Sequence, residues 1–204
     1  PAPLAVAFQR NEHSRFRSHL DERSSAYLAL GRARRTGTVT PLVCPSGTAA
    51  ANYPPAVIEA SQSRVPMLLL TADRPPEIRD SGANQTIDQE KLYGDAVRWY
   101  RDVAEPEATP RKLRSLRTTV TRAVARATGT PAGPVHLNLP FRKPLEPTPV
   151  AGDVPSDLPA AATEGRDGPF VDVTPGVPEL DDDRLRELAS SVSEPRGLIV
   201  VGPD

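Results

Sequence analysis

The sequence predicts an α/β domain built on a doubly wound parallel sheet with flanking helices. Three observations carry this. Short runs rich in β-branched and aliphatic residues, such as Thr38 to Cys44, Met67 to Ala72 and Val135 to Leu139, alternate with longer segments of helical period. The stretch Pro66 to Leu70 is apolar throughout, as expected of a strand covered on both faces. Two of these runs are followed by turn or loop segments, Pro45-Ser46-Gly47-Thr48 and the Pro-, Gly-, Asp- and Asn-bearing Arg74 to Gln85, where ligands of open α/β sheets sit.

From the N-terminus, Pro3 to Phe8 reads as an apolar helix and Phe16 to Leu20 as strand-like. Asp21 or Ser24 caps a helix running to about Arg35, which Gly37 closes. Thr38 to Cys44 is a buried strand and Pro45-Ser46-Gly47-Thr48 a turn. Ala49 to Ser63 is helical, with Pro54-Pro55 imposing a kink or a late start. Met67 to Ala72 is the next strand. The polar run Thr71 to Thr86 (TADRPPEIRDSGANQT) then leaves it, too long and too rich in Arg, Asp, Asn and Gln for a plain connection. A short helix is expected around Gln89 to Tyr93 and a strand at Val97 to Val103. Arg111 to Thr128 is an amphipathic helix, with Leu113, Leu116, Val120, Val124 and Ala127 on one face and arginines on the other. Val135 to Leu139 completes the sheet. This first domain occupies residues 1–146, and a Pro-, Gly- and acid-rich linker covers 147–178. Residues 179–204 read as the truncated start of a second α/β domain, a capped helix at Asp181 to Ser193 followed by the strand-like Gly197 to Gly202.

Composition narrows the classes of function. No apolar run is long enough to span a bilayer, so no membrane role is expected. The single Cys44 excludes an intrachain disulfide and a cysteine-based zinc site, in keeping with a reducing cytoplasm. Residues 1–150 hold 21 Lys/Arg against 14 Asp/Glu, a balance of +7, whereas residues 151–204 hold 4 against 12, a balance of −8; together they give the net −1. Nearly all cations are arginine, which suits planar recognition of carboxylate or phosphate, and is equally a product of base composition or of a halophilic habit. The arginines of the Arg111 to Arg126 segment lack interleaved aromatics, so no nucleic-acid partner is expected. A start at Pro1 without Met leads us to expect a fragment or an incomplete gene model.

Three segments can meet at one sheet edge: Asp21-Glu22-Arg23, Ser46-Gly47-Thr48 and Arg74 to Gln85. Each also has a structural explanation. Glu22 can serve the helix dipole and Ser46-Gly47-Thr48 can cap a helix. Arg74 can pair with Asp73 or Glu77, and Asn84-Gln85 can brace the loop.

Asp21-Glu22-Arg23-Ser24, Cys44 to Tyr53, Pro55 to Ala60 and Thr71 to Gln85 together resemble the N-terminal, pyrimidine-binding domain of the thiamine-diphosphate enzymes. Within that family they resemble the 2-succinyl-5-enolpyruvyl-6-hydroxy-3-cyclohexene-1-carboxylate synthases of menaquinone biosynthesis. The resemblance runs from about Pro3 to Leu145 and continues weakly at Gly197 to Pro203. Its most specific residues are Thr71 to Glu77 and Gly82-Ala83-Asn84-Gln85. The resemblance implies a thiamine-diphosphate-dependent transferase that joins 2-oxoglutarate, with loss of CO2, to isochorismate. It implies that Glu22 is the catalytic and cofactor-binding carboxylate on the cofactor's pyrimidine, a task best done shielded from water. It places Ser46, Gly47 and Thr48 near the pyrimidine, and gives Arg74, Asn84 and Gln85 to the substrates. It also implies Mg2+, or manganese, held with the diphosphate by a Gly-Asp-Gly motif in a C-terminal domain. No metal ligand is expected in this chain, because Gly165-Arg166-Asp167-Gly168 has the wrong context for that motif and reads as a turn. A homodimer or homotetramer is implied for the full protein, and the fragment is expected to be inactive alone. An acetolactate synthase relative would share Glu22 and the fold without the Arg74 and Ala83-Asn84-Gln85 features, and a non-catalytic assembly module would use the fold for subunit contact alone.

Overall fold

The structure, a computed structural model, describes residues 1–200 other than 147, 149, 175, 177, 194, 195 and 199. It divides into two units, residues 1–172 and 173–204.

The first unit begins with α1 (Ala2–Arg10) and α2 (Glu22–Thr36). β1 (Thr40–Cys44) follows, then α3 (Thr48–Ala51), α4 (Pro54–Gln62) and β2 (Met67–Asp73). β3 (Trp99–Asp102), α5 (Pro110–Ala127), β4 (Pro134–Pro140) and α6 (Ala160–Thr163) complete it. The sheet has the order β1-β2-β4-β3 and every pairing is parallel. All strand C-termini therefore end at one edge, which is the edge where the sequence placed its candidate loops.

Local chemistry explains the boundaries. Asp21 accepts the Ser24 backbone N–H at 2.7 Å to start α2, and Gly37 stops it in the left-handed conformation at φ 66°. Pro54 and Pro55 occupy the first turn of α4, where a missing N–H costs nothing, so the expected Ala49 to Ser63 helix starts late and is split at Asn52-Tyr53.

β2 and β4 are buried along their whole length and divide their side chains between two faces. Met67 and Leu69 join Ala26, Leu30, Ala33, Tyr53 and Val57 under α2 and α4. Leu68 and Leu70 join Val135, Leu137, Ala123 and Ala127 under α5, with Leu4 and Phe8 of α1 at its margin. On β4, His136 and Asn138 alternate with Val135, Leu137 and Leu139, so two fully buried polar side chains face the α2 side.

Several expectations are corrected. Phe16 to Leu20 forms no strand: it is a link between α1 and α2 with Leu20 fully exposed, and no sheet strand lies beside it. Gln89 to Tyr93 is a series of turns, because Lys91 takes φ 52° and Gln89 is drawn into the core by hydrogen bonds. On α5 the line against the sheet is Ala123 and Ala127, whose small side chains allow close approach, while Leu116, Val120 and Val124 stay 37–39% exposed in this unit. Part of the expected linker is docked, since Arg117 donates to the carbonyls of Ala162 and Thr163 at 3.3 and 3.2 Å and so holds α6 against α5.

In the second unit, α7 (Asp182–Ser191) is capped by Asp181, which accepts the Arg184 N–H at 2.8 Å. Half of the strand expected at Gly197 to Gly202, residues 199, 201 and 202, lies outside the described residues.

Candidate active site

Two loops leave the C-terminal edge of the sheet side by side. After β1, Gly47 takes φ 84°, a conformation that glycine adopts without strain. It has a second reason to be glycine, because a Cβ there would lie 3.1 Å from the Gln85 carbonyl oxygen and 3.3 Å from Gln85 Cγ. Residues 45–48 and the end of the 74–86 loop thus touch at Gly47 and Gln85. Ser46 is buried, and its hydroxyl has no hydrogen-bond partner among the described residues. Thr48 is exposed, as the first residue of α3.

Glu22 is the first residue of α2, and α2 packs along β1, so its carboxylate stands at the same edge, half-buried and near Cys44. Burial pushes the Cys44 thiol up to about 12, and Glu22 adds to that rise. A thiol held protonated in this way is no nucleophile at neutral pH. Glu22 forms no ion pair among the described residues, although its place in the first turn also favours the helix dipole.

The loop after β2 is fixed by a buried polar network that the sequence alone does not assemble. Gly47 N–H donates to Gln89 Oε1 at 2.8 Å, and Gln89 Nε2 donates to the Ala72 carbonyl at 3.1 Å and to Asn138 Oδ1 at 2.9 Å. Asn138 Nδ2 donates to Asp73 at 2.7 Å and to Asp102 at 3.0 Å. Arg79 closes the network, 3.1 Å from Asp73 and 3.1 Å from Asp102, with a further donation to the Arg74 carbonyl at 3.1 Å. Burial works against the Arg79 charge, but its bond to Asp102 and the nearness of Asp73 and Glu90 outweigh that and raise its pKa. The sequence signal was present: Asn138 and His136 are the polar positions of an otherwise apolar strand, and Thr71 and Asn138 are register partners.

The Thr71 hydroxyl has one proton and donates it to Asn138 Oδ1 at 2.8 Å, so at 2.7 Å it accepts from His136 Nε2–H. His136 Nδ1 is then a bare lone pair without a partner among the described residues, and the imidazole ring centre lies 4.7 and 5.1 Å from those of Tyr93 and Tyr100. Burial lowers the His136 pKa to about 3 and keeps it neutral.

Arg74 pairs with neither Asp73 nor Glu77. Its backbone N–H donates to Asp73 Oδ1 at 2.7 Å, Arg79 takes the Asp73 ion pair, and Arg142 takes Glu77. The Arg74 guanidinium donates to the Asn84 carbonyl at 2.9 Å and forms no ion pair among the described residues. Asn84 and Gln85 are exposed, Gln85 at φ 61°. The structure thus brings the Ser46-Gly47 turn, Arg74, Asn84 and Gln85 together, and it places Glu22 at the same edge. Among the described residues no group of three or more His, Cys, Asp or Glu side chains is placed to hold a metal ion.

Residues 2–92 match the family of the thiamine pyrophosphate enzyme N-terminal TPP binding domain. Over 98% of its length the chain is 69% identical to the 2-succinyl-5-enolpyruvyl-6-hydroxy-3-cyclohexene-1-carboxylate synthase of Haloquadratum walsbyi, of which it covers 32%. It is 68% identical to the enzyme of that name from Halorubrum lacusprofundi, of which it covers 33%, and 54% identical to that of Roseiflexus castenholzii, of which it covers 35%. The chain therefore spans about a third of the length of these curated relatives. In solved structures, the fold is shared with a thiamine diphosphate-dependent 4-hydroxybenzoylformate decarboxylase of Rhodococcus jostii RHA1. The TM-score is 0.68 at 17% identity, over 93% of this chain and 32% of that one.

Proposed function

We infer that this chain, which belongs to the thiamine-diphosphate enzymes through their N-terminal TPP binding domain, supplies the pyrimidine-binding half-site of a 2-succinyl-5-enolpyruvyl-6-hydroxy-3-cyclohexene-1-carboxylate synthase. The reaction is the decarboxylating addition of 2-oxoglutarate to isochorismate. The observation that carries this reading is the contact of the Gly47 turn with Gln85, at the edge where Glu22 and the buried, unpartnered Ser46 hydroxyl also stand.

The residues fit the aminopyrimidine end of thiamine diphosphate. Ser46 offers an unused hydroxyl and Glu22 a carboxylate with no ion-pair partner among the described residues, while Gly47 holds the turn close against Gln85. When bound, the cofactor supplies the electron sink that makes decarboxylation and carbon–carbon bond formation feasible. Glu22 holds a proton at the pyrimidine nitrogen, which its half-buried position favours. Ser46, Gly47 and Thr48 line that end of the site. Arg74 binds a substrate carboxylate through its guanidinium fork, and Asn84 and Gln85 hydrogen-bond the substrates.

The diphosphate and its Mg2+ or Mn2+ are assigned to a region outside this chain. A half-site of this kind implies a homodimer or homotetramer of the whole protein in the cytoplasm. Residues 147–178 then act as a linker that is partly docked through α6, and 179–204 as the start of a second α/β domain.

The test is an assay of the whole-length protein with thiamine diphosphate, Mg2+, isochorismate and 2-oxoglutarate. Wild type is expected to form the adduct and release CO2, and Glu22→Gln to lower kcat by roughly 100- to 10,000-fold. Turnover of pyruvate alone, or a Glu22→Gln variant as fast as wild type, overturns the reading.

A further inference from the structure

We propose that the groove between β3 and α5 binds a small organic polyanion carrying at least two phosphate or carboxylate groups. It is a cavity of about 510 Å3 lined by Trp99 and Arg101 of β3 and by Arg111, Arg114, Thr118 and Arg122 of α5, among others. On the helix these positions recur every three or four residues or a multiple of that spacing, so they form one stripe. From Arg111 to Arg122 the stripe extends roughly 16 Å at the rise of an α-helix.

Strand alternation separates this groove from the site proposed above. Trp99 and Arg101 share one face of β3, and Trp99 packs with the α5 core. Tyr100 and Asp102 take the other, where Tyr100 meets His136 and Asp102 bonds Asn138 and Arg79. The acidic neighbour of Arg101 is thus committed elsewhere, and no Asp or Glu lines the groove. None of Arg101, Arg111, Arg114 and Arg122 makes an ion pair or a side-chain hydrogen bond among the described residues, unlike Arg79, Arg98, Arg117 and Arg142. Four like charges beside one concavity repel each other, and an anion that they share relieves this. Guanidinium forks grip the oxygens of carboxylate and phosphate bidentately, and the Trp99 indole offers an apolar wall for the body of the ligand.

Trp99 is the chain's single tryptophan, so it reports on the groove directly. The experiment titrates the 204-residue chain at low salt with tripolyphosphate and, separately, citrate, following Trp99 fluorescence and, in parallel, calorimetric heat. Saturable one-to-one binding is expected, weakened about tenfold for each arginine removed, hence roughly a hundredfold in Arg114→Ala/Arg122→Ala. The control Arg34→Ala/Arg35→Ala on α2 should bind like wild type, and circular dichroism verifies that both variants fold. Binding of both probes shows that acidic groups of either kind suffice, and binding of tripolyphosphate alone assigns the groove to phosphoryl ligands. No saturable binding by either measurement, equal weakening in the control, or affinity that keeps rising with the length of an oligonucleotide overturns the proposal.

Discussion

Arg79 sets its Nε 3.1 Å from Asp73 Oδ2, and the Asp73 side chain is only 1% exposed. This pair ties the middle of the 74–86 loop back to the end of β2, the strand from which the loop departs. Its second carboxylate, Asp102, belongs to β3, so one guanidinium spans two strand ends. Arg79→Ala leaves a buried carboxylate without its cation. Breaking a buried pair from one side costs about 3–5 kcal/mol. Asp73 keeps the Asn138 amide and the Arg74 N–H, so a loss near or somewhat below the lower end is expected. Urea denaturation measures it, and amide exchange across residues 74–86 should quicken at the same time. Unchanged stability would mean that Asp73 is satisfied without Arg79.

Gly47→Ala meets two obstacles at once. A residue with a Cβ is strained at φ 84°, and that Cβ would press on the Gln85 carbonyl at 3.1 Å. The strain alone is of order 1–3 kcal/mol. The backbone of Gln85 cannot swing away as a flexible side-chain tip would. A melting temperature lowered by several degrees is expected, together with weakening of the Gly47 bond to Gln89. A variant as stable as wild type would mean that the two loops separate at little cost.

His136 gives the fold a pH dependence whose sign follows from its environment. Burial lowers its pKa from 6.5 to about 3, so the folded state resists a proton that the unfolded chain accepts. Its contribution is complete above pH 6.5 and falls away as the pH drops towards 3, with a slope of at most about 1.4 kcal/mol per pH unit. The window between pH 6.5 and 5 isolates it, because carboxylates titrate lower. His13 and His19 are exposed. Denaturation midpoints at pH 7, 6 and 5 should decline in wild type and level out in His136→Gln. A flat wild-type profile would place water or a donor at His136 Nδ1.

Much of this architecture is legible in the sequence because local signals agree with burial. The Asp21 cap and the Gly37 stop bound α2 within a residue or two of the expected limits, and the strand-like runs at 67–72 and 135–139 are the central strands. Where side chains act at long range the sequence is silent. Gln89 looks like a helix residue, but its amide bonds residues 42 and 49 positions away, and those bonds set the local backbone. Arg79 lies between the Arg74 and Asn84 that drew notice, and nothing in the run TADRPPEIRD tells which of its two arginines the buried Asp73 takes. Composition did reveal that a helix at 111–128 would be amphipathic. It could not reveal that alanines, not the larger aliphatics, make the closest approach to the sheet.

Arg74 and Arg79 should therefore separate by experiment. Arg79 is committed to carboxylates of its own chain, whereas the Arg74 guanidinium has only the Asn84 carbonyl at 2.9 Å among the described residues. Arg74→Ala removes one partly exposed hydrogen bond, so the chain should lose no more than about 0.5–1.5 kcal/mol. The cost should fall on binding. A charged hydrogen bond to a substrate carboxylate is worth about 1.5–3 kcal/mol, or roughly 10- to 150-fold in affinity. KM for one of the two acids in the whole-length protein should rise by that factor. Arg74→Lys keeps the charge but not the planar fork and should recover only part of it. Urea denaturation of the chain and steady-state kinetics of the whole protein, run on the same substitutions, check both halves. If Arg74→Ala unfolds the chain as readily as Arg79→Ala and leaves both KM values unchanged, Arg74 is a structural residue and the substrate carboxylate is held elsewhere.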